Sequence, residues 1–273
     1  MENKAPLNLS HMCRVLFIAD DFGISPEVNA AIVSCAGAIH GASLMVDQAA
    51  TAGAVAMAKA RPGMPVGLHL NFSDKREVSG KWDAFPWSAG PVATHLAAWD
   101  GKFADRFRSE TRKQFGAYAA TGLPLAFVNA HHHLHVKPVV FEEIKRCLSE
   151  FFPGFDGWIR LGAVRMFGVP GWATKSLAPV MLGRDPTWSG RKTTDVWGSA
   201  FPFRISAKHL LKLAETATSG SHEVYIHPGT NKTDVRNGLL GDEGQDRTQD
   251  LAALQDARVI KVAGRSFPNG AGL

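Results

Sequence analysis

Long apolar runs are absent from this chain of 273 residues. None approaches the roughly 18 consecutive apolar residues that a membrane-spanning helix needs. The stretch Ala49 to Ala60 is mostly alanine and carries Lys59, which fits a helix packed on a water-soluble domain. Cysteine is scarce as well. Cys13, Cys35 and Cys147 are odd in number and lack paired spacing, which argues against a disulfide framework and for a reducing compartment, the cytoplasm or the inner face of a membrane. Blocks of like charge are missing too. Thirty Lys and Arg against 25 Asp and Glu leave a net charge of +5, with the cations scattered. That pattern points away from nucleic acid and is compatible with an anionic substrate or peripheral contact with an anionic membrane. The N-terminus has no basic segment followed by an apolar one, so no secretory signal is expected. Residues 1–12 are polar and unpatterned and read as a disordered lead-in. Without an internal repeat or a Gly/Ser linker, 13–273 reads as a single domain.

What is present is alternation between strand-like and helix-like segments. Arg14 to Ala19 is a continuous apolar run of strand length, the pattern of a strand buried on both faces. Ser25-Pro26-Glu27 opens a helix to about Ile39, with Ser as N-cap and Pro at the first helical position. Further strands are expected at Ser43 to Val46, Val66 to Leu70, Leu125 to Ala130, Ala163 to Met166, Glu223 to Ile226 and Arg258 to Val262. Helices are expected at Ala49 to Arg61, near His95, and at Arg106 to Thr121, Pro138 to Phe152, Ser206 to Ala217 and Gln249 to Leu254. About seven βα units imply a largely parallel sheet, and in this length they suit an α/β fold of the distorted (β/α) TIM-like barrel type. Phe72 to Gly101 and Gly168 to Phe203 are irregular excursions. Trp82, Trp87, Trp188, Trp197, Phe201 and Phe203 lie in them, suited either to stacking on a sugar or lipid or to covering the barrel edge.

The polar residues carry the functional signal through their position. Asp20 and Asp21 follow the first strand, His69 lies in the third, and His131 follows Leu125 to Ala130. Arg165 lies in Ala163 to Met166, and His227 follows Glu223 to Ile226. In a (β/α) barrel the C-terminal strand ends converge on one face, where active sites are built. Any one of these residues alone is better explained as turn, cap or core chemistry. Five strand ends each supplying an ionisable group are not. One Asp with two His is a common ligand set for a divalent metal with open positions. A cation also relieves the repulsion between two neighbouring carboxylates, and one of them can remain as a base. In His131-His132-His133-Leu134-His135 an extended chain puts His131, His133 and His135 on one face, so one ligand and pocket-lining neighbours are expected. The residues alone therefore describe a mononuclear metal hydrolase and leave the bond open. A non-haem Fe(II) enzyme and a non-catalytic metal- or carbohydrate-binding protein are the alternatives.

Val15 to Gly23 (VLFIADDFG) with Ser25-Pro26, Val66 to Asn71 (VGLHLN), Asn129 to Pro138 (NAHHHLHVKP) and Glu223 to Pro228 (EVYIHP) occur in this order. The set resembles the YdjC-like carbohydrate deacetylases, the ChbG/HpnK group, over roughly Arg14 to Val262. The resemblance implies a barrel related to polysaccharide deacetylases and removal of an acetyl group from an N-acetylated amino sugar. It also implies a divalent metal, magnesium before zinc. Carried over by motif, Asp20 matches the general base, Asp21, His69 and His131 the metal ligands, and His227 the acid for the leaving amine. His133, His135 and Arg165 are expected at the substrate.

Gly122-Leu123-Pro124-Leu125, Thr194-Asp195, Asp250 to Leu254 and Arg258-Val259 lean toward the hopanoid branch, which is similar to enzymes acting on N-acetylglucosaminyl bacteriohopanetetrol. Diacetylchitobiose is the alternative substrate. Asn129-Ala130 stands where the chitooligosaccharide branch has Asp-Ser. A lipid-linked sugar would give the positive charge a use at a membrane, and a homodimer is compatible with the sequence.

Overall fold

The computed structural model describes residues 14–73, 90–161, 164–165, 194–198, 204–217, 220–230, 234–238 and 241–266. Its centre is a parallel sheet of β1 (Arg14–Phe22), β2 (Gly41–Leu44), β3 (Val66–Leu70), β4 (Phe127–Ala130), β5 (Trp158–Ile159), β6 (Val164–Arg165), β7 (Asp195–Trp197) and β8 (Ser221–Ile226). The strand order is β5-β4-β3-β2-β1-β8-β7-β6. β5 and β6 hold the two edges of this sheet, yet only four residues separate them in the chain. A flat sheet would put its edges about 34 Å apart, at ~4.8 Å per strand spacing, and so short a link cannot span that. The sheet must curl. β5 pairs with β4 and β6 pairs with β7, so the sheet curls until its two edges meet at neighbouring stretches of chain, and β5 and β6 together fill one of seven positions in a parallel barrel. The expected TIM-like distorted barrel is what forms.

Helices cover the outside: α1 (Pro26–Ser34), α2 (Thr51–Lys59), α3 (Gly90–Ala97), α4 (Ala104–Ala120), α5 (Pro138–Phe151), α6 (Ala207–Thr216), α7 (Thr248–Gln255) and α8 (Ala257–Ser266). Ser25 caps α1, its Oγ accepting the Val28 N–H, with Pro26 at the first position as expected. α1 stops at Ser34, five residues short of Ile39. Arg258 to Val262 is helix, a correction to the expected strand. Val259, Ile260 and Val262 suit a strand as sequence, but Val259 and Ala263 are buried one helical turn apart while Ile260 is 41% exposed. β5, β7 and the antiparallel hairpin β9 (Asp234–Gly238) with β10 (Gly241–Gln245) are not legible in the sequence. The first two are too short to show a period. Trp82, Trp87, Trp188, Phe201, Phe203 and most of both irregular excursions lie outside the described residues.

Strand alternation sorts side chains to the two faces. Val15, Phe17 and Ala19 of β1 join the large core beneath the helices, as do Val66, Leu68 and Leu70 of β3 and Val128 and Ala130 of β4. Leu16, Ile18, Phe127 and Trp158 form a separate cluster inside the barrel. Phe127 and Trp158 stack there, ring centroids 4.6 Å apart and 22° from parallel. Two glycines make room for them. A Cβ on Gly67 would lie 2.3 Å from the Phe127 ring, and one on Gly41 would lie 2.9 Å from it. One layer above, at the same parity, the interior turns polar with Ser43, His69, Asn129 and Arg160, all at most 1% exposed. The continuous apolar run of β1 thus has its cause: both faces are enclosed.

Gly67→Ala is expected to cost about 1–3 kcal/mol by overpacking against the stacked pair. Gly63→Ala, where an added Cβ meets nothing within 4 Å, is the control. Urea unfolding of both reads the difference, and equal stability of the two variants would contradict the layered interior.

Candidate metal centre at the barrel mouth

Adjacent residues in a strand face opposite ways, so Asp20 and Asp21 can both point inward only if the strand breaks its pattern. It does. The β1–β2 register shifts between Ala19 and Phe22, and Asp21 takes φ +67°, in the left-handed region. A non-glycine residue held there costs on the order of 1–3 kcal/mol, and such strain collects at functional sites. Asn29 of α1 braces the turn. Its Oδ1 accepts the Gly23 N–H at 2.6 Å, and its Nδ2 donates to the Ala50 carbonyl.

Asp21, His69 and His131 come together as expected. Each offers one ligand atom, and these lie within 4.8 Å of one another. His69 Nε2 is 3.5 Å from Asp21 Oδ1, and His131 Nδ1 is 3.2 Å from the same oxygen. Asp21 Oδ1 and His69 Nε2 are buried and take part in no hydrogen bond. Leaving such atoms unsatisfied is expensive, and a divalent cation between them is what this donor set suits. The other oxygen, Asp21 Oδ2, accepts from Arg247 Nη2 at 2.7 Å. Gly229 lets that arginine in, since a Cβ there would lie 2.8 Å from the Arg247 Cβ and Cδ. Burial alone would raise the Asp21 pKa, but the cationic Arg247 and the nearby imidazoles outweigh it and hold it well below the usual carboxylate range.

Asp20 is gripped rather than loose. Arg160 donates to both of its oxygens, at 2.6 and 2.8 Å, and Ser43 Oγ donates to Oδ1 at 2.6 Å. Burial pushes its pKa up, and the Arg160 guanidinium more than reverses this, so the carboxylate is ionised. Arg160 Nε donates to Glu223 at 2.5 Å, and Trp158 Nε1 and Thr194 Oγ1 donate to the other Glu223 oxygen. Burial alone would lower the Arg160 pKa, but the two carboxylates keep it raised and the side chain charged.

His227 follows β8 at the same mouth and is 7% exposed. Its backbone N–H and that of Ile205 donate to Asp250, at 2.9 and 2.8 Å. Burial brings the His227 imidazole down to about 4 and lifts the Asp250 carboxyl to about 7.

The histidine run is not extended. His131–Val136 is a 3₁₀ segment broken by His132 and His133 at φ +51° and +57°. His131, His133 and His135 therefore do not share a strand face. His133 packs edge-on against Tyr225 at 4.9 Å. His135 is fully enclosed, its Nε2 hydrogen-bonded to the Arg160 carbonyl at 2.5 Å, where it braces the backbone just after β5. Arg165 is in β6, opposite Trp197 of β7, so its strand is part of the barrel. Sequence reasoning missed Ser43, Arg160, Glu223 and Arg247. Ser43 and Glu223 were within reach, as polar residues on the inward parity of expected strands.

Fold and site together define a class: a parallel α/β barrel with a buried carboxylate and two imidazoles converging at its mouth. The chain belongs to the YdjC-like protein family, whose model matches residues 14–263. It is similar to a carbohydrate deacetylase of Brevibacillus brevis, 29% identical over 140 residues, covering 50% of this chain and 56% of the relative. A carbohydrate deacetylase of Vibrio cholerae is 30% identical over 141 residues, 49% of this chain and 56% of the relative. The matches thus span little more than half the length of these relatives. A crystal structure from Enterococcus faecalis, described in terms of cellobiose-phosphate cleavage, superposes with a TM-score of 0.65 over 95% of both chains at 15% identity. That likeness concerns the fold.

Arg160→Met should cost about 3–5 kcal/mol, because it strands Asp20 and Glu223 as buried anions. Denaturant unfolding measures it, and a loss under about 1 kcal/mol would contradict this balance of charges.

Proposed function

We propose that this protein is a metal-dependent hydrolase that removes the acetyl group from an N-acetylated amino sugar. The observation that carries the reading is the Asp21, His69 and His131 trio beside an ionised Asp20 at the mouth of the barrel. The names of the relatives supply the substrate class. Asp21, His69 and His131 would hold the cation, with magnesium the first choice and zinc the second. Such an ion contributes Lewis acidity toward an amide carbonyl and a more acidic water.

The chain's own groups divide the remaining work. Arg160 and Ser43 fix Asp20 as an ionised carboxylate in one orientation to receive a proton from the attacking water, and because the same arginine weakens it as a base, the proton is passed on rather than kept. As the water oxygen joins the acetyl carbon and the C–N bond breaks, the amine nitrogen needs a proton. His227 at the same mouth is assigned to deliver it; burial leaves its imidazole neutral at rest, so the proton it hands on is the one Asp20 takes from the water, and Asp250 holds its backbone in place. Acetate and the free amine leave. We assign His133, which packs against Tyr225, and Arg165, on its strand position, to contact with the sugar.

Within this class we favour N-acetylglucosaminyl bacteriohopanetetrol over diacetylchitobiose, on the motifs that lean to the hopanoid branch. An exposed stripe supports a lipid-linked substrate: Val92, Leu96 and Trp99 are 45%, 68% and 61% exposed, and Lys137 lies over the Trp99 ring. Apolar residues with a neighbouring cation suit peripheral contact with an anionic membrane. No helix among the described residues is long and apolar enough to cross one.

Acetate release from both substrates, with divalent metal and with chelator, tests the proposal. Release from the lipid-linked sugar that chelator abolishes is the expected result, and release from diacetylchitobiose alone would replace the substrate. Asp20→Asn should retain the metal and lose activity by a factor of about 10²–10⁴, the usual range for a general base. Full activity in Asp20→Asn would overturn the assignment.

A further inference from the structure

Between the two halves of the site runs an unbroken chain of buried hydrogen bonds. Ser43 Oγ meets Asp20 Oδ1 at 2.6 Å, Asn129 Nδ2 meets Ser43 Oγ at 2.9 Å, and Asn129 Oδ1 meets His69 Nδ1 at 2.6 Å. Ser43 and Asn129 are 0% exposed. The direction of every bond is set from its Asp20 end. Both Asp20 oxygens already accept from the Arg160 guanidinium, so the carboxylate has nothing to donate and the Ser43 hydroxyl must give its one proton to Asp20. Ser43 can then only accept from its other neighbour, so the NH₂ side of the Asn129 amide faces it. The carbonyl oxygen of Asn129 therefore faces His69, and an oxygen can only accept. His69 must carry its proton on Nδ1. A ring that carries this proton alone presents a bare lone pair at Nε2, toward Asp21 Oδ1 at 3.5 Å. A lone pair facing a carboxylate is repulsive until a cation sits between them.

We propose that Asn129 is a positioning residue that locks His69 in its Nδ1–H tautomer and so readies Nε2 as a metal ligand. Ser43 transmits the setting from Asp20, whose two oxygens Arg160 holds as acceptors. This rests on reading the trio as a metal centre. Neither residue touches the reacting atoms, and each acts through His69 or Asp20. One amide thereby ties the orientation of the base to the readiness of the ligand. The amide is suited to this because it donates on one side and accepts on the other. Leucine has the same branching with neither capacity. Aspartate keeps the acceptor toward His69.

The test uses the full chain, Co²⁺ alone as the probe, and two readouts that do not need activity. One is Co²⁺ affinity by titration calorimetry. The other is the ring-nitrogen NMR spectrum of His69 in metal-free protein, which distinguishes Nδ1–H from Nε2–H. Asn129→Leu should populate the Nε2–H ring and weaken Co²⁺ binding about 10- to 100-fold, the usual range for loss of a ligand's hydrogen-bond partner. Asn129→Asp should keep the Nδ1–H ring and stay within about threefold of wild type, or bind more tightly. Ser43→Ala leaves the amide able to turn over, so it should shift the ring in the same direction as Asn129→Leu with a smaller loss. If Asn129→Leu does not fold, the contrast between Ser43→Ala and Asn129→Asp decides. Wild-type affinity and an unchanged Nδ1–H ring in Asn129→Leu, or in Ser43→Ala where only that variant folds, would overturn the proposal. So would an equal loss of affinity in Asn129→Asp and Asn129→Leu. Failure of the wild type to bind Co²⁺ would overturn the metal reading. The ring spectrum of the metal-free protein would still test Asn129 separately.

Discussion

Burying the carboxylates of Asp20, Asp21 and Glu223 inside the barrel is the constraint to which the rest of the interior answers. Asp20, Asp21 and Glu223 are each at most 2% exposed, and isolated anions in such a place would take up protons or prevent folding. Arg160 and Arg247 are buried among them and offset two of the three charges. Three anions less two cations leaves one negative charge, before the imidazoles and the Asp250 carboxyl, which burial lifts to about 7, are counted. The cations are also placed asymmetrically. Arg160 grips both oxygens of Asp20, while Arg247 takes only Oδ2 of Asp21 and leaves Oδ1 turned toward His69 and His131. Two neighbouring aspartates in the sequence thus become chemically different: one is fully satisfied and ionised, the other has an oxygen reserved for a cation.

The barrel makes that difference tolerable to the fold. Its lower interior is filled by Leu16, Ile18, Phe127 and Trp158, with Gly41 and Gly67 admitting the large rings. The polar layer rests on this floor, away from the helix-covered core. Hydrogen bonds inside the barrel gain strength from the low local dielectric, and the same dielectric penalises any missing partner. Trp158, Thr194 and Ser43 supply donors that complete the shells of Glu223 and Asp20. The strain at Asp21 is the remaining cost, and it coincides with the residue whose oxygen faces the two imidazoles.

Much of this was legible from strand parity and from the residues at the end of each strand. β1 and β3 read clearly because both faces are enclosed, giving a continuous apolar run in one and a buried His69 in the other. Asp21, His69 and His131 were found because they end or interrupt such strands. The rest was hidden for physical reasons. β5 is two residues long and shows no period, so Arg160, the next residue along the chain, had no strand to belong to. Arg247 arrives from beyond a hairpin, 226 residues from its partner Asp21, and nothing local marks it. The histidine run suggested an extended face, but two left-handed residues turn it into a tight coil, so spacing alone misplaced His133 and His135. Arg258 to Val262 misled because a short apolar run suits either period, and tertiary packing chose the helix.

The central claim is that the oxygen left by Arg247 and the nitrogen readied by Asn129 belong to one cation. A crystal structure of the protein soaked with Co²⁺, with the ion located by its anomalous scattering, tests this most directly. The account predicts one strong peak in contact with Asp21 Oδ1, His69 Nε2 and His131 Nδ1, with Asp20 still paired to Arg160. A peak on Asp20 with Arg160 displaced, or an ion bound elsewhere while Asp21 and His69 stay bare, would contradict it.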